Sequence, residues 1–92
     1  MVLSMDEIIN AICLHMAERK AVRPTDVTVE LSWDEEDGYT AEVWVQGRNQ
    51  FLVESNMIEA ILRYLQSEYQ VRAYREQVTL DLDEEITAIV RT

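Results

Sequence analysis

The sequence contains little glycine, proline and cysteine, which argues against long flexible linkers and excludes a disulfide within the chain. Two glycines and one proline in 92 residues are too few for long flexible linkers. The single cysteine, Cys13, cannot form a disulfide within its own chain, and no C-x-x-C pair occurs. This usage is typical of a reducing cytosol. Together with the length, it predicts one domain, residues 1–92, in the cytoplasm.

Long apolar runs and basic residues are also scarce. No apolar run approaches the roughly 20 residues that a membrane span needs. Asp6 and Glu7 stand at the N-terminus where a secretory signal would carry basic residues. The eight lysines and arginines are outnumbered by eighteen acids, for a net charge of −10. Because phosphate backbones and anionic lipids attract cations, we expect no nucleic-acid or membrane partner.

What is present is clear periodicity. Apolar residues recur at helical spacing from Met5 to Met16, behind an S-x-x-E capping box formed by Ser4 and Glu7. A second helical stripe runs from Met57 to Leu65, with Ser55 or Asn56 as the expected N-cap.

Five segments have the pattern of strands. Apolar and polar residues alternate over 26–33, 39–46 and 77–82, 51–53 is a short apolar run, and 86–90 is expected to be the final strand. The element order is therefore α-β-β-β-α-β-β. We predict an α+β fold, an antiparallel sheet of four to five strands with two helices packed on one face.

Two acidic turns are the largest chemical signal. One spans 34–37, before Gly38, and the other spans 81–85. If both lie at the same end of the sheet, Asp34, Asp37, Asp81 and Asp83 supply the carboxylate oxygens that Ca²⁺ or Mg²⁺ prefers. The simpler interpretation is a pair of solvated turns that keep the hairpins from aggregating.

Trp44 and Arg48 are the candidate residues for binding a partner. By alternation Trp44 lies on the polar face of its strand, and tryptophan and arginine are enriched in interface hot spots. The competing interpretation gives Trp44 a cross-strand packing role opposite Thr28, Glu30 or the third strand.

Residues for catalysis are few. Cys13 and His15 are two apart on a helix and therefore point in different directions. The sequence has no glycine-rich phosphate loop and no G-x-S-x-G or H-E-x-x-H motif. We therefore expect no enzyme and no cofactor, with an enzyme built on an unfamiliar site as the remaining alternative.

Four segments carry a family resemblance: "MDEIINAICLHMAERKAVRPTDV", "WDEEDGYTAEVWVQGR", "MIEAILRYLQSEY" and "LDLDEEITA". Over nearly its whole length the chain resembles the YxcD-like proteins, a small family of uncharacterised Bacillus-type cytosolic proteins. The resemblance implies a bacterial cytoplasmic protein and assigns no catalytic or binding residues.

The sequence thus favours a small interaction or regulatory module. It would bind a protein partner, or a second copy of itself, through an open sheet edge or the face that carries Trp44. The alternative is divalent-cation binding through the turns 34–37 and 81–85.

Overall fold

A computed structural model describes residues 1–91 and contains two helices and six strands within that range. Short 3₁₀ turns precede β2 and β5, and a π-helical turn follows α2. The strands and helices, in chain order, are β1 (Val2–Leu3), α1 (Met5–Lys20), β2 (Val27–Asp34), β3 (Gly38–Val45), β4 (Arg48–Val53), α2 (Glu54–Tyr64), β5 (Val78–Leu82) and β6 (Ile86–Val90).

The capping box predicted for the first helix is confirmed. The Ser4 side chain accepts a hydrogen bond from the Glu7 amide at 3.2 Å, and the Glu7 carboxylate accepts one from the Ser4 amide at 3.4 Å. At the other end Ala21 adopts a left-handed conformation, φ 55°, and closes the helix before Pro24.

The first three predicted strands are present and form an antiparallel meander. Strands β2 and β3 pair antiparallel from Val27 opposite Val45 to Asp34 opposite Gly38, and β3 pairs in turn with β4. Gly38 has φ 70°, a conformation that glycine adopts without strain. Strands β3 and β4 are joined by Gln46 and Gly47, both with positive φ as a two-residue hairpin turn requires.

The second helix begins slightly earlier than predicted. Neither Ser55 nor Asn56 is its N-cap, since the helix already starts at Glu54. The Asn56 side chain reaches back instead and accepts a hydrogen bond from the Val53 amide at 3.2 Å. Asn56 therefore caps the N-terminus of α2 from the third residue of the helix.

The prediction of one sheet with four to five strands is corrected by the structure. Among residues 1–91 there are two three-stranded antiparallel sheets, ordered β2-β3-β4 and β1-β6-β5. The order α-β-β-β-α-β-β also lacked β1, which pairs Leu3 with Ala88 at the far end of the chain. Alternation indicates which face a residue occupies, but it does not identify the strand beside it.

One core lies between the helices and the inner faces of both sheets. Helix α1 packs against α2, β2 and β6, while α2 also packs against β3 and β4. The largest fully buried side chains come from every layer and include Leu3, Ile8, Ile12, Val43, Met57, Ile61 and Val90. No helix within residues 1–91 combines the length and apolar character that a bilayer crossing demands.

Candidate functional site

The predicted cation site receives no geometric support. Within residues 1–91, no group of three or more His, Cys, Asp or Glu side chains is placed to hold a metal ion. One Asp34 oxygen accepts hydrogen bonds from the amides of Glu36 and Asp37, at 2.9 and 2.7 Å. This carboxylate therefore shapes its own turn.

The second acidic turn belongs to the other sheet. Asp81 lies in β5 opposite Thr87, and the Asp83 amide closes the turn on the Glu85 carbonyl at 3.3 Å. Burial, and after it the charges of Asp81 and Glu54, raise the pKa of Tyr39 in β3. The charge of Asp81 on β5 thus acts on Tyr39 on β3. Within residues 1–91, however, Asp34, Asp37, Asp81 and Asp83 do not form a cluster of metal ligands.

Trp44 and Arg48 lie on opposite faces of their sheet. Trp44 is half-buried on the outer face, between Thr28 on β2 and Asn49 on β4. Arg48 is exposed and pairs with Val45, whose side chain is on the helix side. The two predicted binding residues are therefore not one surface, and the cross-strand packing expected for Trp44 opposite Thr28 is present.

Phe51 is the exposed aromatic residue on the outer face that sequence reasoning did not single out. Its side chain is 63% exposed, and Val53, two residues along the same strand, is 52% exposed. The signal in the sequence was the run Phe51-Leu52-Val53. Three apolar residues in a row place at least one of them on the outer face of a strand, and here Leu52 is the buried one.

Strand β4 is also an edge of its sheet. In an antiparallel hairpin, hydrogen-bonded pairs alternate with pairs whose backbone groups point outward. The pair Val45–Arg48, which flanks the two-residue turn, is a hydrogen-bonded pair. By alternation, the backbone N–H and C=O groups of Asn49, Phe51 and Val53 point away from β3. The Val53 amide is taken by Asn56. Asn49 and Phe51 therefore present free backbone groups to any added strand.

A polar pocket of about 310 Å³ lies on the helix side of β4. The i,i+4 spacing on α1 brings His15 and Arg19 to one side of the helix, with Met16 and Lys20 beside them. Strand β4 and the first turn of α2 complete the wall. The lining includes His15, Met16, Arg19, Lys20, Gln50 and Asn56.

His15 is the buried polar residue of this wall. It is 7% exposed, and its Nδ1 atom has no hydrogen-bond partner within the described chain. Burial lowers the pKa of the imidazole, and the positive charge of Arg19 lowers it further. Burial thus disfavours the charged form of His15, and its Nδ1 atom is not used in the hydrogen bonding of the described residues.

Cys13 does not form a hydrogen bond with His15. The Cys13 thiol donates a weak hydrogen bond to the Val27 carbonyl at 3.6 Å, and burial raises the pKa of the thiol. A raised thiol pKa leaves little thiolate for nucleophilic attack. The half-buried Cys13 side chain packs against the core.

Comparison with known proteins identifies the family. Residues 1–85 match the family model described as protein of unknown function DUF2653. The chain belongs to the DUF2653 family. No curated protein and no solved structure matches it. The narrower likeness to YxcD-like Bacillus proteins stays a prediction.

This DUF2653 chain therefore offers two surfaces around β4. The outer edge carries Phe51 and free backbone groups. The helix side carries a pocket whose charged residues are Arg19 and Lys20. The first surface suits a polypeptide strand and the second suits a small polar ligand.

Proposed function

We propose that this protein is a non-enzymatic interaction module that binds an extended segment of a partner protein by strand addition to β4. In this mode the backbone of the added strand pairs with a free sheet edge, and side chains on alternate positions supply specificity. The proposal depends on one observation. An edge strand with free backbone groups at Asn49 and Phe51 exposes 63% of a phenylalanine.

The other sheet edges are less suited to pairing. Strand β1 is two residues long, while β2 carries Glu30 and Asp34 and β5 carries Asp81. Short length and charged side chains are the usual protection of an edge against unwanted strands. Strand β4 ends in the apolar run Phe51 to Val53 and lacks this protection there.

The neighbours of Phe51 on β3 are one charged residue and one aromatic residue. Glu42 lies opposite Phe51 on β3, and Trp44 is its diagonal neighbour on the same face. Trp44 therefore borders the surface, and Phe51 is its most exposed part. We expect the partner strand to place an apolar side chain beside Phe51.

The partner is another protein in preference to a second copy. A net charge of −10 on each molecule opposes self-association. The compartment we propose is the bacterial cytoplasm. The single cysteine supports a reducing environment, and the resemblance to YxcD-like proteins supports the source.

The test begins with site-specific photo-crosslinking in cells that express the protein. A photoreactive amino acid at position 51 should capture a defined protein that the same group at position 33 does not. Trp33 is the matched control because it is an exposed aromatic residue, 44% exposed, outside β4. The captured protein is then purified, and its affinity is measured by calorimetry.

Two variants of one residue isolate the backbone contribution. Both variants lose the Asn49 side-chain hydrogen bond to Glu42 on β3. Asn49→Ala keeps the outward N–H, whereas Asn49→Pro removes it without breaking a backbone hydrogen bond to β3. We expect Asn49→Pro to bind about tenfold more weakly than Asn49→Ala, since an interface amide is lost. Equal affinities, or identical capture at positions 51 and 33, would refute strand addition. Circular dichroism checks that both variants are folded.

A further inference from the structure

The pocket beside α1 has an unusual charge for this molecule. Acids outnumber basic residues eighteen to eight along the chain, yet the charged residues of this pocket are the cations Arg19 and Lys20. Neither side chain forms an ion pair with an acid within residues 1–91. Two cations without acidic partners are thus held at one concave surface of a strongly acidic protein.

The neutral polar residues of the pocket add hydrogen-bond donors. The Asn56 carbonyl oxygen is already engaged by the Val53 amide, which leaves the Asn56 NH₂ group as a donor. The Gln50 side chain makes no hydrogen bond within the described residues and lies on the helix side, opposite Val43. Arginine, lysine and the two amides together match an oxyanion, which only accepts hydrogen bonds.

His15, a buried residue, lines this pocket and also the neighbouring pocket between α1 and α2. His15 is more than nine-tenths buried, and its Nδ1 atom has no protein partner. Most buried side-chain polar atoms have a hydrogen-bond partner, so an unpartnered Nδ1 atom requires an explanation. The imidazole contributes to the pocket wall together with the buried Met16 and Leu52.

We propose that this pocket binds a small organic anion, with a carboxylate or phosphate group held by Arg19 and Lys20 and a short apolar end against Met16 and Leu52. A volume of about 310 Å³ is at the lower end of the range of about 300–1,000 Å³ for small-molecule sites. The site is mainly on the helix side of β4, and Phe51 is the one lining residue that it shares with the proposed strand-binding edge.

The experiment uses the purified wild-type chain, without a partner, and follows the NMR signals of its imidazole. Because His15 is the only histidine, these signals need no assignment by mutation. Phenyl phosphate, benzoate, inorganic phosphate and neutral benzyl alcohol are titrated separately at constant pH and ionic strength. We expect a saturable shift with phenyl phosphate or benzoate and none with benzyl alcohol. The two anions distinguish a phosphate from a carboxylate ligand.

Charge-removing variants locate the site. Arg19→Gln and Lys20→Gln should each weaken binding about tenfold, because each removes a charge-assisted hydrogen bond. Arg72→Gln is the matched control, since Arg72 is exposed and does not line the pocket. Its affinity should equal that of the wild type. The proposal is overturned if neither organic anion gives a saturable shift, or if Arg72→Gln weakens binding as much as Arg19→Gln. A failure here leaves the crosslinking result at position 51 unaffected.

Discussion

At the scale of single residues, His15 combines burial with a nearly balanced charge environment. The Glu18 and Arg19 charges come from its own helix, and those of Glu59 and Arg63 come from α2. The two acids raise the imidazole pKa and the two arginines lower it. Desolvation is the largest influence, so the net direction is downward from the ordinary value of 6.5.

The lowered pKa predicts a pH dependence of stability. Below about pH 6.5 the unfolded chain binds a proton at His15 that the folded chain resists, so the free energy of unfolding decreases as the pH falls. His15→Gln has no such group. Lowering the pH from neutral to about 5 should therefore lower the Tm of the wild type more than that of this variant, as measured by thermal unfolding. Parallel curves for the two proteins would contradict the lowered pKa.

Phe51 shows how far residue-level prediction reaches. The apolar run placed a strand at 51–53 correctly, and β4 contains it. The run did not show which of the three side chains is outside, because consecutive apolar residues have no period. Register supplies that answer, and register depends on the two-residue turn at Gln46 and Gly47.

At the scale of elements, Glu7 joins the start of α1 to the end of α2. Its carboxylate completes the capping box and also accepts hydrogen bonds from the Tyr64 and Tyr69 hydroxyl groups. The bond to Glu7 is the main cause that raises the pKa of Tyr69 to about 12. One acidic side chain thus links two helical termini that are far apart in sequence.

The caps predict different outcomes for two serine substitutions. Ser4→Ala removes a cap hydrogen bond and should cost about 1 kcal/mol of unfolding free energy. For a domain of this size that lowers the Tm by roughly 4–8 °C. Ser55→Ala is the matched control, because the Ser55 side chain makes no hydrogen bond within residues 1–91 and the residue is exposed. Thermal unfolding measures both. Equal losses would mean that the Ser4 cap is not formed.

Local elements were predictable and the arrangement of strands was not. Helix α1 and the hairpin of β2 with β3 are encoded within short segments, through a capping box and strict alternation. Strand β1 has two residues, too few for a periodic pattern, and its partner β6 is more than eighty residues away. The strand order of the second sheet, β1-β6-β5, follows from that distant pairing.

At the scale of the whole molecule, the excess of negative charge dominates. Eighteen acids are distributed over a chain of 92 residues, and both acidic turns are exposed. Repulsion among them opposes the compact state. If the turns are only solvated connections, their charges affect stability through this general repulsion alone. A cation site would in addition stabilise the folded state when the cation binds.

Salt titration separates these two accounts. Sodium chloride should raise the Tm gradually, because screening weakens repulsion between exposed charges. Calcium or magnesium chloride at equal ionic strength should raise the Tm no further than sodium chloride does, whereas a ligand that binds only the folded state stabilises it increasingly as its concentration rises above Kd. The matched control carries Asp34→Asn, Asp37→Asn, Asp81→Asn and Asp83→Asn. An asparagine in place of Asp34 keeps a side-chain oxygen that can accept the turn hydrogen bonds, so the charge is removed without removing the turn. An increase beyond that of sodium chloride in the wild type, lost in this variant, would support the cation site.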